Sequence, residues 1–149
     1  MFITPHFLTG AAIAVAIDKP ELAVPLALAS HFVLDAIPHR DTIGEEHITP
    51  ENLLLKLVDG FTALFLFFLF VPSGLRIYAF LIGAVALLPD IVALPTLIWP
   101  RLKKGILAPF QRFHVDFLQS RFPDTIDWFW GLATQVVIVA ADLVIISMR

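Results

Sequence analysis

Apolar runs separated by short polar punctuation divide the chain into five segments. The first extends from about Pro5 to Ile17 and opens on Thr4-Pro5, the pair expected at an N-cap and first helical position. A turn at Asp18-Lys19-Pro20-Glu21 leads into the second, Leu22 to Ile37. Both fall short of the roughly 20 residues that cross a bilayer unaided, so each must tilt, be sheltered by neighbours or enter only part-way. After a polar loop from His39 to Glu51, Thr49-Pro50 starts a third segment that reaches Val71 and holds the run FTALFLFFLF. Pro72-Ser73-Gly74 marks a turn. The fourth segment, Leu75 to Trp99, contains Pro89 and Pro95, which remove amide donors and crowd the preceding turn, so it should kink or break. The fifth is Trp128 to Met148.

Between the last two lies Pro100 to Asp127, with five of the ten basic residues. Its second half, Phe110 to Phe122, places Phe110, Phe113, His114, Phe117 and Leu118 on one helical stripe and Gln111, Arg112, Asp116 and Gln119 largely opposite. That pattern predicts a helix lying in the plane of a membrane interface. Trp99, Trp128 and Trp130 flank it as an aromatic belt would. The expected architecture is all-α: residues 1–149 form a single membrane-embedded helical domain with about five membrane helices, and 100–127 supply one interfacial amphipathic helix.

Composition agrees with the pattern. The chain is 58% hydrophobic, has mean hydropathy +0.86 and is only 15% charged, against the usual quarter. A net charge of -3 leaves no basic footprint for nucleic acid. Cysteine is absent, so disulfides and thiolate metal sites are excluded and any metal must take nitrogen and oxygen ligands. The start, MFITPHFLTGAAIAVAI, lacks the basic region of a signal peptide and is expected to be retained. Alternating spans place the N-terminus, the 39–51 loop and the 100–127 loop on one side. That side carries Arg40, Lys56, Arg101, Lys103, Lys104, Arg112 and Arg121, against Lys19, Arg76 and Arg149 on the other, which orients it toward the cytoplasm.

The same side collects the chemistry. His31, Asp35 and His39 recur at i, i+4 and so stack on one helical face. His6 begins segment one, and Asp59 lies about 10 Å inside segment three at ~1.5 Å per residue. Asp90 sits beside the Pro89 break, and His114 lies on the interfacial stripe. Ionisable groups in so apolar a setting are expensive and usually functional. These seven residues, His6, His31, Asp35, His39, Asp59, Asp90 and His114, are the expected metal ligands, and their donor set suits Zn²⁺ or Mn²⁺. Asp35, Asp90 and Arg40 are the expected catalytic groups, with Arg40 placed to grip a phosphate or carboxylate. Competing roles are plain for some of them: Asp59 can pair with Lys56, three residues away, and Asp90 can cap a broken helix. His47, with Glu45 and Glu46, reads as a solvated loop residue. Asp142 falls at the far end, within reach of Arg149 or Arg76, and is left out of the site. The GAAIA and GAVAL runs read as close-packing surfaces.

Thr4-Pro5-His6 through Thr9-Gly10, Ser30-His31 through Asp35, and Leu87-Leu88-Pro89-Asp90-Ile91 resemble motifs of the bacterial inner-membrane metal-dependent hydrolases, the LexA-binding, inner-membrane-associated family. The order of the Leu-Pro-Asp and Ser-His-x-x-x-Asp motifs is reversed here. Of that family's His-rich element, Gln111-Arg112-Phe113-His114 is the nearest counterpart. The resemblance implies a metal-dependent hydrolase and carries over to His6, His31, Asp35 and Asp90. The expected function is therefore an integral membrane hydrolase of a bacterial or archaeal cytoplasmic membrane. It would use metal-activated water on a lipid-like or phosphorylated substrate, with membrane lipids as neighbours, no nucleic-acid partner, and self-association into a homo-oligomer left open. The alternatives are a small proton-coupled carrier and a non-catalytic membrane protein with a structural metal.

Overall fold

The computed structural model describes residues 1–41, 49–118 and 126–149. Its organising element is helix α1 (Ile3–Ala16), which packs on α2 (Pro20–Asp35), α3 (Pro50–Phe70), α4 (Arg76–Ala86) and α7 (Trp128–Ser147). Phe7, Leu8, Ala11 and Val15 of α1 meet Ala27 of α2, Phe67 of α3, Ile82 of α4 and Ile146 of α7 in one apolar core. Phe7, Phe67 and Phe80 pack ring against ring at 5.4–6.0 Å, in the tilted and edge-on geometries aromatic rings prefer. No strand occurs among the described residues.

Close packing of α1 on α4 depends on two glycines. A β-carbon on Gly10 would lie 2.8 Å from the Gly83 Cα and from the Ile82 carbonyl, and one on Gly83 would run into the Phe7 ring. The GAAIA and GAVAL runs thus do what small residues do between apolar helices, letting backbones approach.

The helix starts have different origins. Thr49 accepts the Asn52 N–H at 3.2 Å to cap α3, and Asp127 accepts the Trp130 N–H at 3.0 Å to cap α7. Thr4 does not cap α1: the helix begins at Ile3, and its first N–H groups, from Ile3 and Thr4, point at the carboxylate of Asp59 on α3. The Thr4 hydroxyl also donates to Asp59, so a neighbouring helix supplies the cap.

Proline breaks the fourth segment as predicted. Leu87 separates α4 from α5 (Leu88–Ile98), and Pro89 occupies the first turn of the new helix, where its missing N–H costs nothing. The interfacial stretch is helical over its described part but not one regular α-helix. In place of one amphipathic helix from Phe110, the chain forms a 3₁₀ stretch (Pro100–Lys104), a single turn α6 (Ala108–Gln111) and a π-helical stretch (Arg112–Leu118), while 119–125 lie outside the described residues. Gln111, His114 and Leu118 turn inward, whereas Phe113 and Phe117 are half exposed and stack on each other at 6.3 Å. The wider π turn changes which residues share a face, so the 3.6-residue stripe does not survive.

Only α3 and α7, with 21 and 20 residues, are long and apolar enough among the described residues to cross a membrane unaided. Their outer faces are bare of protein: Phe61 and Phe65 on α3 and Val136 and Val137 on α7 are each about two-thirds exposed or more. At 14 residues, α1 rises about 21 Å, less than a bilayer core of about 30 Å, and it is wrapped by its neighbours. Gly10→Val should lower stability by about 1–3 kcal/mol through overpacking at the α1–α4 contact. A thermal melt of the detergent-purified variant checks this, and an unchanged midpoint would show that the contact is not tight.

Candidate metal centre

The last turn of α2 carries His31 and Asp35, spaced i, i+4 so that both side chains leave one face. Asp90 comes from the first turn of α5, a position where the helix dipole favours a carboxylate. His114 comes from the π-helical stretch. Three elements thus aim four donors at one point, and one ligand atom from each lies within 4.8 Å of the others.

The spacing suits a metal. The two Nε2 atoms are 2.9 Å apart, each lies 3.1 Å from Asp35 Oδ2, and Asp90 Oδ1 is 3.6 Å from His31 Nε2 and 3.5 Å from His114 Nε2. Donors held about 2.0–2.2 Å from a common ion in a tetrahedron sit about 3.3–3.6 Å from one another, and these edges run from slightly shorter up to that range. The tautomer agrees. His31 Nδ1–H donates to the Ala86 carbonyl at 2.7 Å, in the last turn of α4, so its Nε2 turns a lone pair into the cluster. A backbone carbonyl behind a ligating imidazole is the usual means of fixing ring and tautomer. Two carboxylates supply the anionic oxygens a divalent cation favours, one of them, Asp35, being paired with the Met1 amino group as well. His31, Asp35, Asp90 and His114 therefore could hold a metal ion.

The surroundings are dry and aromatic. His31 and Asp35 are fully buried and His114 nearly so, while Asp90 is a quarter exposed. Phe32 stands edge-on to both histidines at 5.5 and 5.8 Å, and Phe110 lies 5.2 Å from His114. The second oxygen of Asp35 faces away from the cluster, 3.0 Å from the Met1 amino group and 3.2 Å from His6 Nε2. The same amino group reaches Asp41 at 3.2 Å.

The other expected ligands separate from these four. Asp59 is corrected from ligand to cap, its carboxylate being taken by the start of α1. His39 donates Nδ1–H to the Ile37 carbonyl at 2.7 Å and falls outside the cluster. Burial holds its imidazole below the ordinary pKa. His6 touches Asp35 but contributes no atom to the four-donor set. Arg40 donates to the Ile126 carbonyl at 3.0 Å and lies over the Trp128 ring at 5.2 Å, packed against the start of α7. Asp142 accepts the Thr9 hydroxyl at 2.7 Å, while Arg149 reaches the Ala16 carbonyl and Arg76 the Phe68 and Val71 carbonyls. His47, Glu45 and Glu46 lie outside the described residues.

Two polar residues on α7 matter more than their sequence context suggested. Gln135 is buried, accepts the Phe2 N–H at 2.9 Å and donates to the Arg40 carbonyl at 2.8 Å. Thr134 donates to the Pro38 carbonyl at 2.9 Å. Together they fix the chain on both sides of the centre. An amide inside a largely apolar 20-residue helix was the available signal, since it must find a partner there.

Asp59→Ala should cost about 1–2 kcal/mol by uncapping α1 and leave metal content unchanged. Elemental analysis alongside a melt tests the assignment, and loss of metal from a folded variant would return Asp59 to the ligand set. No family model matches the chain, and neither curated proteins nor solved structures give a significant match.

Proposed function

We propose that this chain is an integral membrane protein in which His31, Asp35, Asp90 and His114 hold one divalent cation, Zn²⁺ or Mn²⁺, for hydrolysis of an ester or phosphoester bond at the membrane interface. The convergence of four nitrogen and oxygen donors from three separate elements supports the metal most directly. A cation held there would supply Lewis acidity, activating water and polarising the bond to be cleaved. His31 is held by the Ala86 carbonyl, and the aromatic shell of Phe32 and Phe110 keeps bulk water from the imidazoles. Asp90, the one partly exposed donor, marks the side from which water or substrate would approach, and a catalytic ion would need a coordination position beyond the four donors or in place of Asp90.

The substrate class follows from the rim. Ile91 and Leu94 on α5 and Phe113 and Phe117 on the π-helical stretch are about half exposed beside the elements that carry Asp90 and His114. An amphiphile whose polar group reaches the cation while its chain rests on this surface suits that environment. The likeness to the inner-membrane metal-dependent hydrolases points the same way, and His31, Asp35 and Asp90 of its motifs all belong to the cluster. In this reading α3 and α7 span the bilayer, and α1, α2 and the α4–α5 pair complete about five membrane segments as short, sheltered helices. The site faces the cytoplasm.

Detergent-purified protein should carry about one transition-metal ion per chain. His31→Ala and His114→Ala should each lose it while remaining folded. Protein that folds normally with no ion, and takes up none on titration with Zn²⁺ or Mn²⁺, would remove the proposal. The absence of native cysteine makes topology directly readable. Cysteines introduced at Glu51 and Gly74, exposed positions at opposite ends of α3, should react with impermeant maleimide from opposite sides of sealed vesicles. Labelling of both from one side would refute a spanning α3.

A further inference from the structure

His6 is fully buried at the start of α1, and three observations bear on what it does. Its ring lies flat on that of His31, with centroids 4.1 Å apart and planes inclined by only 19°. A ring nitrogen coordinates through a lone pair in the plane of the ring. Planes so separated and so nearly parallel intersect on the order of 10 Å away, whereas a metal–nitrogen bond is about 2 Å. An ion in the plane of His31 is therefore out of the plane of His6. Second, His6 Nε2 addresses Asp35 Oδ1 at 3.2 Å, the oxygen turned away from His31 and His114, both of which face Oδ2 at 3.1 Å. Third, His6 Nδ1 is buried and has no hydrogen-bond partner among the described residues. A neutral ring with its proton on Nε2 fits both nitrogens: Nε2–H donates to the carboxylate and Nδ1 keeps a bare lone pair.

We infer that His6 is a positioning residue: it holds the Asp35 carboxylate through Oδ1 so that Oδ2 alone faces the cation, and it is not itself a ligand. This assignment rests on the divalent-cation reading of the four-residue cluster. Removing a hydrogen bond behind a ligand typically weakens metal affinity 10–100-fold without abolishing the site. His6→Phe keeps a flat ring against His31 and deletes the donor. His6→Gln restores an N–H at a similar reach.

The test is Zn²⁺ affinity, from competition with a chromophoric chelator, combined with ion stoichiometry and the visible spectrum of the Co²⁺-loaded protein. Expected for His6→Phe is one ion per chain bound 10–100-fold more weakly, with Co²⁺ band intensity of the same coordination number. His6→Gln should return within about threefold of the unsubstituted protein. Loss of the ion from His6→Phe, or a changed Co²⁺ coordination number in His6→Gln, would make His6 a ligand. Unchanged affinity in folded His6→Phe, or failure of His6→Gln to recover it, would leave only ring packing and overturn the positioning role. If His6→Phe does not fold, His6→Gln decides alone through its affinity and spectrum. An unsubstituted protein that binds no Zn²⁺ defeats the cluster reading itself, and that result is distinct from all of these.

Discussion

The carboxylate of Asp35 is the constraint around which this bundle is arranged. It lies at the end of α2 with no exposure, and an ionised carboxylate in such a place is strongly unfavourable unless both oxygens are satisfied. Both are, and the partners come from different parts of the chain. Oδ1 meets the Met1 amino group and His6 on α1, and Oδ2 meets His31 on α2 and His114 on the π-helical stretch. The requirement to satisfy one buried charge thus draws the start of α1, the end of α2 and the segment beyond α5 together. His31 Nδ1–H donates to Ala86, which leaves its Nε2 facing Asp35 Oδ2 and His114 Nε2. A proton on His114 Nε2, donated to Asp35 Oδ2 at 3.1 Å, or a cation held among the donors would each satisfy these contacts.

Packing makes that convergence possible. The His31–Ala86 hydrogen bond requires α4 to lie near α2, and both pack on α1. The α1–α4 contact closes through Gly10 and Gly83, with Ala86 touching the same spot. Small residues chosen for helix approach therefore act on the chemistry one turn away. At the opposite end the bundle is tied more simply, with the Tyr78 hydroxyl and the Arg149 guanidinium donating to the Ile17 and Ala16 carbonyls at the end of α1.

The sequence showed what depends on spacing within one helix and missed what depends on partners across helices. The i, i+4 register of His31 and Asp35 was legible, as was the isolation of Asp90 in VALLPDIVAL, because both are local facts about face and polarity. The segment boundaries were legible too, since proline and capping residues mark them. Asp59 was not, because a carboxylate inside an apolar helix looks alike whether it binds an ion or the open end of α1. His114 is legible as a candidate ligand on the apolar stripe, whereas the π winding of Arg112–Leu118 that carries it is not. His6 was grouped with the ligands because proximity can be guessed from threading, whereas the tilt of one imidazole plane on another cannot.

The distribution of buried polar groups also weighs between the functional readings. A proton-coupled carrier needs titratable groups along a path from one surface to the other. Here Asp35, Asp90, His6, His31 and His114 crowd one end, and Asp59 is committed to the backbone N–H groups that start α1. The far half contributes Asp142, seven residues or about 10 Å along α7 from Gln135, with the Thr9 hydroxyl donating to it. Between His6 and Thr9, which holds Asp142, α1 presents Phe7 and Leu8, both buried and apolar. A proton leaving the cluster toward Asp142 would have to pass from His6 to the Thr9 hydroxyl, three residues or about 4.5 Å along α1, and no hydrogen bond joins those two side chains among the described residues. The polar groups that converge do so at one end of the bundle, which favours the proposed interfacial chemistry over a carrier, and the Thr9–Asp142 pair is where a carrier would need its next step.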